Sequence, residues 1–425
     1  MMHQKILVRF GDMMLKGRNI NQFIKRIHAH VHFKLKDLDI AIDARHDRML
    51  IDVRPGLEQL IIERLSQVPG VFSYSLVYVA RPEVDHIVEV GAMVMDREIR
   101  FDGLTFKIET KRIDKQFPLT SQDVTKTVSG RILATARRRV VVDVNTPAHT
   151  LYIEIHKTEA LIYMTSIPGM GGFPAGIAGR GLVMLSGGID SSVAAYLAIK
   201  QGVDVELFHF ESTPLTAIES VQKVIDLSKK LAVYMPQERI TLHLVPFTQI
   251  HEALLEYMPK PYLITVMRRM MYRLGERFIK ARKMLCLING ESIGQVASQT
   301  LQSMKAVEVV TSFPVIRPLA TMDKHDIIDL ARQIDTFAIS TRPYEDCCSI
   351  YVPRSPATKP MHIYALRYEG LFDYEPMLEQ ALAAIWTLDI TPGTKLDVCQ
   401  FGLTTKEARK TLEETEESHD HLDPE

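Results

Sequence analysis

LVMLSGGIDSS runs from Leu182 to Ser192. Four apolar residues, Leu182 to Leu185, lead straight into Ser186, Gly187 and Gly188. Asp190, Ser191 and Ser192 follow, then an apolar-spaced segment from Val193 to Ile199. This order predicts a buried parallel strand, a tight glycine turn and a helix. Backbone N–H groups at such a turn and in the first helical turn lack helical partners, and the positive end of the helix dipole lies beside them. The turn is therefore an expected anion site. A Cβ at Gly187 or Gly188 would hold a phosphate away from the backbone. No lysine closes the loop, so it is not the GxxxxGK[ST] type.

A serine–glycine pair alone marks only a turn. The whole string SGGIDS, behind a strand and before a helix, resembles the PP-loop of the N-type ATP pyrophosphatases. Those enzymes split ATP between its α- and β-phosphates and adenylate a substrate. The resemblance implies that Met184, Leu185, Ser186, Gly187, Gly188, Asp190 and Ser191 contact the nucleotide, with Asp190 also a catalytic candidate.

At 425 residues the chain has room for about three domains. Its 46% hydrophobic and 24% charged content describes a globular protein with a sizeable core. No apolar run approaches a membrane span, and the opening MMHQKILVRF reads as a strand without a secretory h-region. Cys286, Cys347, Cys348 and Cys399 form no CxxC pair. That argues against a structural zinc or a disulfide scaffold and suits a reducing cytoplasm.

A net charge of −1 does not announce a nucleic-acid binder. The distribution is uneven, however: Lys111, Arg112, Lys115, Lys126, Arg131, Arg137, Arg138 and Arg139 crowd one stretch. They make either a phosphate-contacting face or a solvated helix face. The acidic end EETEESHDHLDPE reads as frayed, within an expected tail over 401–425.

Residues 5–10 predict a strand, 20–38 a helix, 49–53 a strand and 57–65 a helix, a small α+β domain expected over 1–60. A second domain is expected over 61–166. Its elements are a strand at 71–79, a helix at 84–96, the strand TFKIET, a helix capped by Ser121, a strand at 140–144 and the hairpin LYIEI/LIYMT, with one hairpin face solvated or docked. The glycine- and proline-rich stretch 167–180 reads as a linker. Beyond it strands and helices alternate, with strands at 182–185, 203–210, 240–245, 284–288 and 314–318. The expected fold is a doubly wound parallel sheet whose ligands gather at the strand C-termini.

Several polar residues fall at those strand ends. His209 and Phe210 close the second strand, either against an adenine or as a core Phe beside a surface His. Arg268 and Arg269, among Met267, Met270 and Met271, are either a solvated edge or a phosphate clamp. In NGESIGQVASQT (289–300), Gly290 permits backbone approach to a ligand, and Glu291, Gln295, Ser298 and Gln299 supply polar side chains. Cys347 and Cys348 lie in PYEDCCSIYVPRSP, a proline-bounded loop where exposure is expected, although the acids before the thiols would raise a thiol pKa.

SGGIDSS, HF, MRRMM, NGESIGQVASQT, RPLATMDKHDII and PYEDCC occur together and in order. With SQDVTKTVSGRIL and VNTPAHTLYIEI upstream, the chain resembles the tRNA 4-thiouridine synthetase family over residues 1–400. The family's opening signature matches Asp12, Leu15, Lys16 and Gly17. The resemblance implies a ferredoxin-like domain, an RNA-binding THUMP domain and a PP-loop domain of the adenine nucleotide alpha hydrolase-like kind over 181–400. It further implies nucleotide contacts at Met184, Leu185, His209, Phe210, Arg268, Gly290 and Gln299, and a sulfur-carrying cysteine at Cys348, with Cys347 as alternative or resolving neighbour. Lys111, Arg112, Lys126, Arg131 and Arg137 become candidates for RNA contact. Implied cofactors are ATP and Mg2+; implied partners are tRNA, a cysteine desulfurase and a ThiS-like sulfur carrier protein. A homodimer is expected because one tRNA must reach both an RNA-binding domain and an active site. Some relatives carry a C-terminal rhodanese domain; this chain reads as the form without it, and Cys399 is not assigned that role. Two other functions share these motifs: an adenylating ligase or amidotransferase acting on another substrate, and a non-catalytic RNA-binding protein.

Overall fold

The computed structural model of the chain describes residues 4–11, 20–45, 47–347 and 356–420, with side chains to 414. Asp12, Leu15, Lys16, Gly17 and Cys348 lie outside them. The chain divides into two compact units, Met1–Phe173 and Pro174–Glu425.

In the first unit, β1 (Gln4–Arg9), α1 (Ile20–Lys34), β2 (Ile42–Ala44), β3 (Arg48–Asp52), α2 (Glu58–Leu65) and β4 (Ser73–Ala80) follow in order. Then come α3 (Val84–Glu98), β5 (Thr105–Arg112), α4 (Ser121–Thr135), β6 (Val141–Val142), β7 (His149–Ile155), β8 (Ala160–Tyr163) and β9 (Ile167–Pro168). All the strands share one sheet, ordered β2-β3-β1-β4-β8-β7-β5-β6, with β9 beside β4. The sheet is continuous because β4 pairs antiparallel with both β1 and β8. A boundary expected at residue 60 therefore cuts through the first βαββαβ motif, which ends with β4. One cluster packs α1 and α2 on the sheet through Ile27, Val31, Ile61 and Leu65; another packs α3 and α4 through Ile87, Val94, Val128 and Ile132. Each such side chain, fully removed from water, contributes about 1.5–3 kcal/mol.

Three expectations here need correction. Helix α4 is capped by Thr120, whose hydroxyl accepts from the Asp123 N–H, and not by Ser121. The second face of the β7–β8 hairpin is not solvated: Leu161 is inaccessible and Tyr163 and Glu154 are buried there. Residues 167–171 are not free linker. Strand β9 pairs with β4, and the Gly70 and Gly171 N–H groups bond across to Gly171 and Val71 carbonyls.

The second unit contains β10 (Arg180–Met184), α5 (Ile189–Lys200), β11 (Asp204–Glu211), α6 (Ile218–Ala232), β12 (Ile240–Pro246), α7 (Thr248–Tyr257) and α8 (Leu263–Arg282). It continues through β13 (Cys286–Ile288), α9 (Leu301–Glu308), β14 (Val315–Ile316), α10 (Lys324–Gln333), α11 (Phe337–Ser340), α12 (His362–Glu369), α13 (Glu375–Ala383), β15 (Trp386–Ile390) and α14 (Thr405–Asp420). The sheet order is β14-β13-β10-β11-β12-β15. Neighbours from β14 to β12 are parallel, whereas β15 is antiparallel to β12. An all-parallel sheet was expected; β15 was missed because WTLDI is half exposed at an edge and lacks a buried-strand run. The expected tail also differs, since α14 begins with a buried Thr405 whose hydroxyl donates to Glu211.

Strand β10 is the pivot. From it the chain steps outward through β11 and β12, then returns to lay β13 and β14 on its other side. The crevice at the C-terminal ends of β10 and β13 is thus a topological switch point, where open α/β sheets place ligands. Among the described residues no helix is long and apolar enough to cross a membrane.

Candidate active site

A cavity of about 480 Å³ opens at that switch point. Its walls come from the turn after β10 (Met184, Leu185, Ser186, Asp190, Ser191), the end of β11 (His209, Phe210) and Arg268 of α8. The segment after β13 adds Gly290 and Gln299, and Cys347 completes the set. These are sequence-selected residues brought together from five separate stretches. Gly187 and Gly188 form the turn itself without lining the cavity. Ile264, Met271, Tyr272, Glu291, Val296 and Asp346 are also in the lining.

The turn is more tightly organised than the sequence indicates. The Ser191 hydroxyl meets the Ser186 N–H at 3.1 Å and the Ser186 carbonyl at 2.9 Å, and the Gly188 N–H donates to Ser186 Oγ at 3.2 Å. The Gly187 N–H donates to Asp346 Oδ2 at 2.7 Å. The expectation of unpartnered turn N–H groups is corrected to that extent. Gly188, at the N-cap of α5, gives that helix no side-chain cap. Gly290, in the cavity lining, also has a packing reason: a Cβ there would stand 2.6 Å from the Asp190 carbonyl carbon. Its absence lets β13 close onto the first turn of α5.

Asp190 accepts from Gln295 Nε2 at 2.9 Å and pairs with Lys324 at the start of α10. Lys324 was missed as a site residue; the available signal was its place in RPLATMDKHDII. His209 is buried rather than a surface residue, and its Nδ1 lies 2.9 Å from the Leu185 carbonyl. A carbonyl only accepts, so Nδ1–H donates and the ring is fixed. Phe210 packs edge-on against Phe208 and Phe247 and, with Met271 and Ile264, supplies an apolar wall.

Arg268 and Arg269 take different roles. Arg268 donates to the Ser298 carbonyl at 2.7 Å and pairs with Glu291, facing the cavity. Arg269 is fully buried and bonds bidentately to Glu369 at 2.6 and 2.9 Å, tying α8 to α12. Neither a solvated edge nor a clamp describes Arg269. Glu291 also accepts from Arg317 Nε at 2.8 Å and Asn289 Nδ2 at 2.9 Å.

Among the described cysteines, Cys347 departs from the expected exposure: it is 4% accessible and lies against the cavity. Cys286 is half-buried, with its thiol pushed up by burial. Cys399 is exposed as a residue; partial desolvation of its thiol together with the Asp397 and Glu219 charges pushes it up to about 11.

On the first unit, Lys111, Lys126, Arg131 and Arg137 are exposed. Arg131 pairs with Asp85 at 2.7 Å. Arg112 is committed elsewhere: its guanidinium donates to the Phe117 and Leu119 carbonyls at 3.1 and 3.0 Å, fastening the loop before α4.

A relative from Acholeplasma laidlawii (strain PG-8A), named "Probable tRNA sulfurtransferase", is 48% identical over 407 residues, 96% of this chain and 98% of the relative. Residues 176–371 match the family described as thiamine biosynthesis protein (ThiI), 5–75 the ThiI ferredoxin-like domain and 83–165 the THUMP domain. The chain belongs to the ThiI family. A solved 4-thiouridine synthetase, in complex with RNA and with bound ATP, aligns at TM-score 0.82 and 28% identity over 92% of this chain and all of that one. PH1313 from Pyrococcus horikoshii shares the fold at TM-score 0.60 and 20% identity, over 78% of this chain and 99% of its own. The ThiI architecture is thus a ferredoxin-like and a THUMP domain in the first unit, and the PP-loop sheet in the second.

Proposed function

We propose that this ThiI-family chain is an ATP-dependent tRNA sulfurtransferase that converts a tRNA uridine to 4-thiouridine. The observation carrying the reading is that the glycine turn and Cys347, from the loop of Cys348, border one cavity. An adenylation site and a sulfur carrier need that proximity.

ATP would lie with its adenine toward Phe210 and His209 and its phosphates toward Ser186–Ser191, with Arg268 and Lys324 supplying positive charge. Asp190 is the carboxylate that would meet a magnesium ion carried on the phosphates. Magnesium takes one or two carboxylates plus phosphate oxygens and keeps its waters, so one suffices. Uridine O4 attacks the α-phosphorus and pyrophosphate departs, which turns a poor leaving group into AMP. The outer sulfur of Cys348, loaded as a persulfide by a cysteine desulfurase, then attacks C4 and AMP leaves. The Cys347 thiol takes the Cys348 sulfur as a disulfide, which frees the C4 sulfur as 4-thiouridine, and an external thiol reductant restores both cysteines. The exposed basic residues of the THUMP domain would meet tRNA phosphates. The reading includes a homodimer, checked by mass in solution, and sulfur supply to the thiamine thiazole through a ThiS-like carrier, which the ThiI match over 176–371 favours.

Pyrophosphate release from ATP, with and without unmodified tRNA, separates this reading from its rivals. Release that depends on tRNA and precedes 4-thiouridine supports it. Release with no tRNA requirement favours a ligase or amidotransferase, and no release under either condition favours an RNA-binding protein.

A further inference from the structure

The anion seat of the glycine turn is held by a carboxylate of the chain itself. Gly187 donates its N–H to Asp346 Oδ2 at 2.7 Å, whereas Oδ1, also buried, has no hydrogen-bond partner among the described residues. A side chain at residue 187 would crowd this contact. A Cβ there would stand 3.1 Å from Asp346 Oδ1 and 2.6 Å from Lys223 Cε. Lys223, buried on α6, donates to the Tyr344 carbonyl at 2.9 Å and the Arg342 carbonyl at 3.3 Å. Arg342 in turn pairs with Asp226 of the same helix. The arm 342–346 is therefore fastened to α6 by its backbone and to the glycine turn by one side chain. The next residue, Cys347, lies against the cavity.

A carboxylate on a backbone N–H beside a helix start satisfies the same electrostatic demand as a phosphate oxygen. The two cannot share the Gly187 N–H, because each is anionic and one donor serves one of them. We propose that Asp346 is a positioning residue that takes the phosphate seat whenever no polyphosphate fills it, and so sets the cysteine arm against the cavity only before ATP enters or after pyrophosphate leaves. This rests on the sulfurtransferase reading above and adds an order to it. The polyphosphate displaces Asp346 during adenylation. Departure of pyrophosphate returns Asp346 to Gly187, and the thiol arm then meets an already adenylated base. Sulfur is thereby kept from the site while the leaving group is still being made.

The test compares wild type with Asp346→Ala and Asp346→Asn in the full chain. The first readout is the affinity for inorganic pyrophosphate by calorimetry. The second is the rate of 4-thiouridine formation in a single turnover with persulfide-loaded protein. Removing the competing carboxylate should tighten pyrophosphate binding about tenfold, the scale of one charge-assisted hydrogen bond. The same change should slow sulfur transfer about tenfold. Asp346→Asn, which keeps an acceptor without the charge, should fall between the two on both readouts. A merely damaged pocket would weaken pyrophosphate binding, so tightening separates positioning from structural loss. Equal or weaker affinity in Asp346→Ala would overturn the proposal. Should wild type make no 4-thiouridine while pyrophosphate affinity shifts as expected, the sulfurtransferase reading falls and Asp346 keeps its seat.

Discussion

Glu154 on β7 and Glu291 just past β13 are both buried carboxylates, each met by two arginines and a tyrosine. Glu154 accepts from Arg48 at 2.6 Å and from the Tyr163 hydroxyl at 2.9 Å, with Arg9 at 3.8 Å. Glu291 accepts from Arg317 and pairs with Arg268, with the Tyr272 hydroxyl at 3.5 Å. Their surroundings separate them. Glu154 stands near the end of β7, inside the sheet between antiparallel β8 and parallel β5, and its partners come from β1, β3 and β8, so the charges are enclosed by strand pairing. Glu291 stands where a parallel strand has ended and the chain must leave the sheet, so its partners face the cavity at the switch point. Residue chemistry alone does not distinguish a structural knot from a site wall; the topology around it does.

The largest effect expected on the cavity side is loss of the sulfur carrier. Cys348→Ser should abolish 4-thiouridine formation with ATP, desulfurase, cysteine and reductant, while tRNA-dependent pyrophosphate release continues. Full thiolation by that variant would remove Cys348 from the reaction. Asp190→Ala should come next, cutting pyrophosphate release by about 10²–10³-fold, the scale of losing one preorganised electrostatic group. Its tRNA affinity should stay near wild type, since the basic residues lie in the other unit. Undiminished release would take Asp190 out of the site.

Paired Glu→Gln substitutions address the comparison directly. Glu291→Gln should raise the KM for ATP about tenfold, because Arg268 loses the charge that aims it. Glu154→Gln should leave KM unchanged and lower stability by about 1.5–3 kcal/mol, since Arg48 and Arg9 lose their charged acceptor. The Glu154 effect is pH-dependent. Burial alone would raise its carboxyl, but His156, Arg48 and Tyr163 outweigh burial and hold it at about 2, below the usual 4.5. A depressed carboxyl stabilises the fold fully above the ordinary value and loses that contribution as pH falls through the folded one. Denaturation midpoints of wild type and Glu154→Gln should therefore differ at neutral pH and converge between pH 4.5 and about 2. A KM effect at Glu154, or none at Glu291, would break the distinction.

The sequence carries the PP-loop sheet well because a buried parallel strand leaves a continuous apolar run, such as Leu182 to Leu185, and the glycine turn follows it in the chain. It carries Asp346 and Lys324 poorly, and it marks Glu291 as a polar site residue without its arginine partners. Their roles depend on which strand ends converge, and no local period encodes that. Cys347 illustrates the same limit: a proline-bounded loop predicts exposure, yet the loop folds its thiol against the cavity. Arg112 and Arg269 show the converse. Arg112 reads as part of a phosphate-contacting or solvated face and Arg269 as a solvated edge or phosphate clamp, yet Arg112 fastens a loop and Arg269 a helix.

The smallest effect concerns that basic cluster and discriminates within it. A side chain that contacts RNA phosphate releases counterions, so removing it reduces the slope of log affinity against log salt by about one. Lys126 is exposed on α4, and none of the described carboxylates pairs with it through a salt bridge, so it is free to meet a phosphate. Lys126→Ala in the full chain should lower the slope for tRNA by about one and weaken binding modestly across tRNA sequences. Arg131 already pairs with Asp85, and binding must exchange that partner for a phosphate, so Arg131→Ala should lower the slope by less. Arg112→Ala should leave the slope unchanged and lower the melting temperature instead, since the Phe117 and Leu119 carbonyls lose their donor. Filter-binding titrations over about 50 to 200 mM salt resolve a slope change of one. Equal slopes for wild type and Lys126→Ala would remove α4 from the RNA-contacting surface, and an altered slope for Arg112→Ala would show that its guanidinium leaves the loop to reach the RNA.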